Sequence, residues 1–199
     1  MNKLFFIAML LFSSLCLAAN DRVALVIGNS TYKNAPLDNP INDAADVSVK
    51  LKTLGFTVIT KNNLTSKQIG PALREFRSKL SPGSTAVFYY AGHGVQIKGE
   101  NYLPATDAEI YSEDDVPNQS LSMRQVIDVL EDSKTRLNLI FLDACRNNPY
   151  TRSFRGGTGG LAKQDAPLGR LFLMRRGQDL LLPTEMAVMD FIPNTYLLQ

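Results

Sequence analysis

His93 and Cys145 are the residues of this chain best suited to carry a reaction. The 199 residues include one histidine and two cysteines. Cys16 lies in an N-terminal segment expected to be removed, which leaves one imidazole and one unpaired thiol, a thiol worth treating as reactive in an exported protein. A thiol is a weak nucleophile until it loses its proton, and a nearby imidazole can take that proton or stabilise the thiolate. The same imidazole can later protonate a leaving amine. His93 stands between two glycines in "YYAGHGV", residues 89–95. Gly94 lets the backbone approach a substrate carbonyl, and its N–H together with that of Cys145 could hold an oxyanion. One such donor is typically worth about 10²–10³ in rate. A buried core thiol and a satisfied loop histidine would be the inert alternative. Two things weigh against it: both residues end apolar runs, and Cys145 follows closely on Asp143.

The elements that must position this pair are legible in the pattern. "RVALVIGNS" is a short apolar run ended by Gly28, as in a buried strand. A helix is predicted over "DNPINDAADVSVKLKTLG", with Asn39 as N-cap, Pro40 in the first turn, Gly55 as terminator and a stripe of Ile41, Ala44, Ala45, Val49 and Leu51. "FTVIT" reads as a second strand, "SKQIGPALREFRSKL" as a second helix and "STAVFYYAG" as a third strand. Gly99 falls between "VQI" and "NYL" as a hairpin turn would. "SMRQVIDVLEDS" forms a third helix, and "TRLNLIFLDAC" a fourth strand. Strands alternating with amphipathic helices imply an α/β fold with a mostly parallel sheet covered on both faces. In such sheets the working residues sit at the carboxyl ends of strands, where His93 and Cys145 fall.

Composition narrows the function classes. Lys3, the apolar stretch Leu4 to Leu17, and Ala18 and Ala19 before polar Asn20 form a secretory signal peptide over residues 1–19. Its apolar stretch is shorter than the roughly 20 residues a membrane span needs. Leu15 occupies the position where lipidation of Cys16 would require a small residue. The expectation is a secreted or periplasmic protein, cleaved after Ala18 or Ala19 and not membrane-bound thereafter. The remaining chain suits one domain. A net charge of +2 without a basic run gives no footing for nucleic acid. A nucleotide-binding α/β domain lacks its glycine loop, since no "GxGxxG" or "GxxxxGK" follows a strand and "IGNSTY" is too short a glycine signal. Oligomeric state is left open.

"VFYYAGHGVQ" and "IFLDACRNNP" resemble the histidine and cysteine motifs of bacterial caspase-like peptidases, relatives of metacaspases and paracaspases. The separation of 52 positions from His93 to Cys145 is close to the roughly 50 found in caspases. "RVALVIGNSTYKNAPLDNPINDAADVSVKLKTLGF" is similar to the family's first strand and helix, and "NYLPATDA" to its stretch after the histidine. The likeness runs from about Arg22 to Pro167. It implies a caspase-type (caspase–hemoglobinase) sheet and a cysteine endopeptidase acting on proteins or peptides through a Cys145–His93 dyad. It also implies no catalytic metal or organic cofactor. Caspases that cut after Asp resemble "QAC" at the cysteine motif, whereas this chain reads "DAC". The resemblance therefore places the Asp143 carboxylate at the floor of a pocket for Arg or Lys, with Asp43 of "INDAAD" as its second carboxylate. Two carboxylates around a guanidinium give charge-assisted bidentate bonds and repel an acidic side chain. Asp43 also suits the first turn of a helix through the macrodipole. Calcium dependence is left open, and "EDD" at 113–115 is read as solvated loop charge. The basic loop "RSFRGGTGG", residues 152–160, offers Arg152 and Arg155 for self-cleavage.

After "GGLAKQDAPLG" the resemblance stops, so the domains read as 1–19, 20–168 and a tail from 169 to 199. The family would continue with a strand like "GTLIAYATAPG". Here "LMRRGQD" stands instead, and it can be encoded so that a one-base shift yields "YATRPG". The tail is thus read as out of frame from near Gly169. The expectations are a sheet incomplete at its C-terminal edge, an exposed strand edge, and doubtful activity despite an intact dyad. A catalytically impaired module that binds peptides or partners is the alternative.

Overall fold

The computed structural model describes residues 21–144 and 150 in full, and the backbone of 170–176 and 179–181. The segment 1–19 read as a signal peptide, Cys145, the basic loop at 152–160 and the chain beyond 181 lie outside the described residues.

Nine strands and three α-helices are described: β1 (Arg22–Gly28), α1 (Pro40–Thr53), β2 (Thr57–Asn62), α2 (Ser66–Lys79), β3 (Thr85–Gly92), β4 (Val95–Ile97), β5 (Glu100–Pro104), β6 (Ser120–Ser122), α3 (Met123–Asp132), β7 (Leu137–Ala144), β8 (Arg170–Arg176) and β9 (Asp179–Leu181). The main sheet has the order β2-β1-β3-β7-β8-β9, parallel except for β9, and β4-β5-β6 form a small antiparallel sheet. Crossover connections between parallel strands are right-handed. The step from β1 to β2 runs one way along the sheet, and the steps from β2 to β3 and from β3 to β7 run the other. Handedness therefore puts α1 on one face and α2 and α3 on the opposite one, as the two cores show. Ala44 of α1 packs with Ala24, Val26, Val87, Tyr89 and Ala91. Ile69, Phe76, Val126 and Leu130 of α2 and α3 pack with Leu25, Ile27, Phe88, Tyr90, Ile140 and Leu142. Strands β1 and β3 are buried almost throughout, as central parallel strands must be.

Local chemistry explains the boundaries. Pro40 takes the first helical position of α1, and Gly55, at φ +80°, ends it. Capping boxes begin the other two helices: the Thr65 N–H donates to Gln68 Oε1 at 3.0 Å, and the Ser122 N–H to Gln125 Oε1 at 3.1 Å, with the Gln125 N–H returning to Ser122 Oγ. Lys98 and Gly99 both have positive φ, which gives the β4–β5 hairpin a two-residue primed turn. The stripe predicted for α1 is only partly correct. Its buried positions are Pro40, Ala44 and Ser48, with Val47 and Leu51 half-buried beside them, while Ala45 and Val49 face solvent. The buried face follows a spacing of four through Pro40, Ala44 and Ser48, and Val49, five positions past Ala44, falls off it. Ser48 is tolerated inside because its hydroxyl is 2.9 Å from that of Thr60.

One expectation is corrected outright. The segment from Arg170 was expected not to complete the sheet. Arg170–Arg176 instead pairs in parallel with β7, with Asn138 opposite Arg170 and Asp143 opposite Arg175. β9 then folds back on it. An apolar stretch such as "RLFLM" can supply a strand because backbone pairing asks for β-propensity more than for a particular sequence. The edge of β7 is covered.

Candidate active site

The site is assembled from the loops that leave β1, β2 and β3. Asn29, 1% exposed, is the tie between them. Its N–H continues the ladder to the Ala91 carbonyl at 2.9 Å, its Oδ1 accepts the Leu64 N–H at 2.8 Å, and its Nδ2 donates to the Pro104 carbonyl at 3.3 Å. Asn63 adopts a left-handed turn (φ +54°), and its Oδ1 accepts the N–H groups of Ser30 and Thr31 at 2.9 and 3.0 Å. A further bond from the Leu37 N–H to the Ser30 carbonyl closes the loop after β1. That closed loop carries the Ala35 carbonyl to the end of β3.

His93, one residue beyond β3 and 2% exposed, meets that carbonyl. Its Nε2 is 2.7 Å from the Ala35 oxygen. A carbonyl oxygen only accepts, so Nε2 carries the proton and Nδ1 the lone pair. Nδ1 is buried and has no hydrogen-bond partner among the described residues. Burial pulls the imidazole below its ordinary pKa, and the bond to Ala35 offsets part of that. The ring is therefore neutral near pH 7 with Nδ1 available as a base. Tyr32 packs against it, ring centres 4.4 Å apart and tilted by 52°.

Cys145 directly follows Ala144, and Ala144 is in register with Gly92. Parallel strands lie about 4.8 Å apart, so the histidine and the cysteine each leave a neighbouring strand end one residue past a paired position. The thiol itself is outside the described residues. Gly94 is buried in the turn into β4. Of the two glycines beside His93, Gly92 is the one at positive φ (+155°).

The two aspartates occupy the α1 side of the same rim. Gly28, Ala91 and Asp143 are in register across β1, β3 and β7. Ala91 belongs to the core under α1, and in-register residues of parallel strands share a face, so Asp143 does too. Asp43 lies in the first turn of α1, next to Ala44, which sits tightly on Gly28: a Cβ at Gly28 would lie 2.8 Å from Ala44 Cβ and 2.5 Å from the Pro40 carbonyl oxygen. Both aspartates are half-buried. The acidic stretch 113–115 is a 3₁₀ turn in which one Asp115 carboxylate oxygen accepts the N–H groups of Tyr111 and Ser112 and the Ser112 hydroxyl. Those bonds hold its carboxyl below the usual range. Among the described residues no three His, Cys, Asp or Glu side chains cluster as a metal site, and no helix is long and apolar enough to cross a membrane.

Sequence reasoning missed Tyr32, Ala35, Asn29 and Asn63. They are loop residues acting across 32 to 75 positions of sequence, and no periodicity marks them. Tyr90 was legible only as an apolar strand residue.

Residues 21–180 match the family model described as the caspase domain. The chain is 32% identical over 139 residues to human mucosa-associated lymphoid tissue lymphoma translocation protein 1, covering 66% of this chain and 16% of that protein. A protein of a Desulfuromonadales bacterium named as a probable protease is 26% identical over 155 residues, covering 64% of this chain and 18% of its own length. This chain thus spans less than a fifth of these curated relatives. The crystal structure of the Drosophila initiator caspase Dronc superposes with a TM-score of 0.50 at 14% identity, over 78% of this chain and 55% of that one, a likeness of fold.

Proposed function

Because this chain belongs to the caspase-domain family, whose members are cysteine peptidases, we propose that it is an exported endopeptidase that cleaves after Arg or Lys. Cys145 is the nucleophile and His93 Nδ1 takes its proton, then returns it to the leaving amine. The N–H groups of Gly94 and Cys145 hold the oxyanion. Asp43 and Asp143 bind the basic side chain that precedes the cut. The observation that carries this reading is the state of His93: Nε2–H tied to the Ala35 carbonyl, and Nδ1 buried with its lone pair unspent. An imidazole kept merely for packing would gain by satisfying both nitrogens. The parallel strand beside β7 supports the reading further, because it covers an edge that would otherwise admit water to the cleft.

The purified mature protein should turn over Arg- and Lys-ended peptide reporters, and Cys145→Ala should lose that turnover. Retained turnover in Cys145→Ala refutes the dyad, and preference for Asp-ended reporters refutes the pocket. A folded protein whose Cys145 is readily alkylated but which cleaves nothing supports instead a module that binds peptides without cutting them. Export predicts a mature N-terminus at Ala19 or Asn20, readable by N-terminal sequencing of the secreted or periplasmic fraction.

A further inference from the structure

We propose that Tyr32 and Tyr90 are positioning residues for the His93 base, their hydroxyls closing a one-way hydrogen-bond ring on its backbone. The inference rests on the reading of His93 as the proton acceptor. The Tyr90 hydroxyl is 2.7 Å from the His93 carbonyl, which can only accept, so Tyr90 spends its single proton there. The two hydroxyls are 2.9 Å apart, and the proton of that bond must then come from Tyr32. The Tyr32 oxygen in turn accepts the His93 N–H at 3.0 Å. The ring runs from the His93 N–H to Tyr32, to Tyr90 and back to the His93 carbonyl, and every bond has one permitted direction.

This ring replaces something the sheet cannot supply. β3 ends at Gly92 and β4 begins at Val95, so His93 lies between ladders with both peptide groups buried and in need of partners. With Nε2 on Ala35, three of its four polar groups are held, and Nδ1 alone is left for chemistry. Gly92 is the residue that admits the two hydroxyls. A Cβ there would stand 2.6 Å from each of them. The phenols also keep their protons across the working range, since burial pushes Tyr32 up to about 12 and Tyr90 well above its ordinary value.

A purely structural role would cost stability when a hydroxyl is removed and leave catalysis per folded molecule intact. Tyr32→Phe and Tyr90→Phe keep both rings and open the hydrogen-bond ring. Each should lower kcat about tenfold or more, with KM within about twofold, because small misplacements of a catalytic group are costly in rate. The single histidine provides a readout that needs no turnover: long-range ¹H–¹⁵N spectra should show the neutral Nε2–H tautomer in the wild type and a tautomer mixture in either variant. In the wild-type protein two tyrosine hydroxyl protons should exchange slowly with water. A folded variant with wild-type kcat and an unchanged tautomer overturns the proposal, as does fast exchange of both hydroxyls in the wild type. Turnover lost in His93→Ala but kept in Tyr32→Phe overturns the positioning role alone. Turnover that survives His93→Ala removes the dyad, and the proposal falls with it.

Discussion

Replacing Gly28 by alanine tests whether α1 is seated as closely on the sheet as the placement of Asp43 requires. Gly28 is a strand residue, and its φ is not among the positive ones, so alanine suits its backbone. On that ground alone alanine should stabilise by about 0.5–1 kcal/mol. The added methyl, however, would lie 2.5 Å from the Pro40 carbonyl oxygen, 2.8 Å from Ala44 Cβ and 3.1 Å from Ile41 Cα. None of these is the end of a flexible side chain, so the first turn of α1 must move out by roughly half to one ångström to restore contact distances. Overpacking costs about 1–3 kcal/mol, and two contacts under 3.0 Å to atoms that cannot swing aside put this site in the upper part, about 2–3 kcal/mol, which leaves a net loss of about 1–2.5 kcal/mol after the alanine gain. For a domain of this size that is a fall in Tm of about 2–10 °C, measurable by thermal and urea denaturation. The same movement carries Asp43 away from the rim. kcat/KM for an Arg-ended reporter, measured well below the lowered Tm, should drop about tenfold or more and approach that of Asp43→Asn. A Gly28→Ala protein as stable as the wild type would refute the close crossing. A destabilised protein with unchanged kcat/KM would refute the role given to Asp43.

Burial lowers the His93 pKa below its ordinary 6.5, so below about pH 6.5 the unfolded chain binds a proton that the folded one refuses. The stability contributed by the neutral ring is complete above that pH and is lost as pH falls toward the folded pKa. Chemical denaturation of the wild type beside His93→Asn should show the wild type losing more between about pH 7.5 and 5.5, and parallel curves would contradict a buried neutral imidazole. Val49→Lys should change stability by no more than about 0.5 kcal/mol, since Val49 is 62% exposed; a larger loss by urea denaturation would restore the stripe read from sequence. The gene decides the tail: codons for residues 173–179 that cannot yield "YATRPG" in the shifted frame end the frameshift reading.

What the sequence disclosed followed from short-range rules. Apolar runs ending in glycine gave β1 and β3, and the amphipathic stretches that alternate with the strands gave α2 and α3. The Gly99 hairpin declared itself through a residue tolerant of positive φ. His93 and Cys145 were legible because strand ends are where a parallel sheet exposes side chains, whereas Asp43 and Asp143 were marked only by the family resemblance. The parts that were not legible depend on contacts closed through space. Nothing in "STYKNA" states that Tyr32 and Ala35 meet a histidine some 60 positions on. The strand at Arg170–Arg176 escaped notice because its neighbour in the sheet, and not an alternating pattern, gives it a place.

The Ala35 carbonyl carries a consequence for where inactivating substitutions fall. The group that fixes the tautomer of the base is part of the main chain, so no exchange of side chain at position 35 can delete it. Its location is instead governed by whatever sets the path of the loop: the Asn63 amide gripping Ser30 and Thr31, and the Ser30–Leu37 closure. A saturation scan of this protein should therefore find position 35 permissive to small residues and position 63 intolerant. Sensitivity to mutation would then be displaced by nearly thirty residues of sequence from the atom that does the orienting.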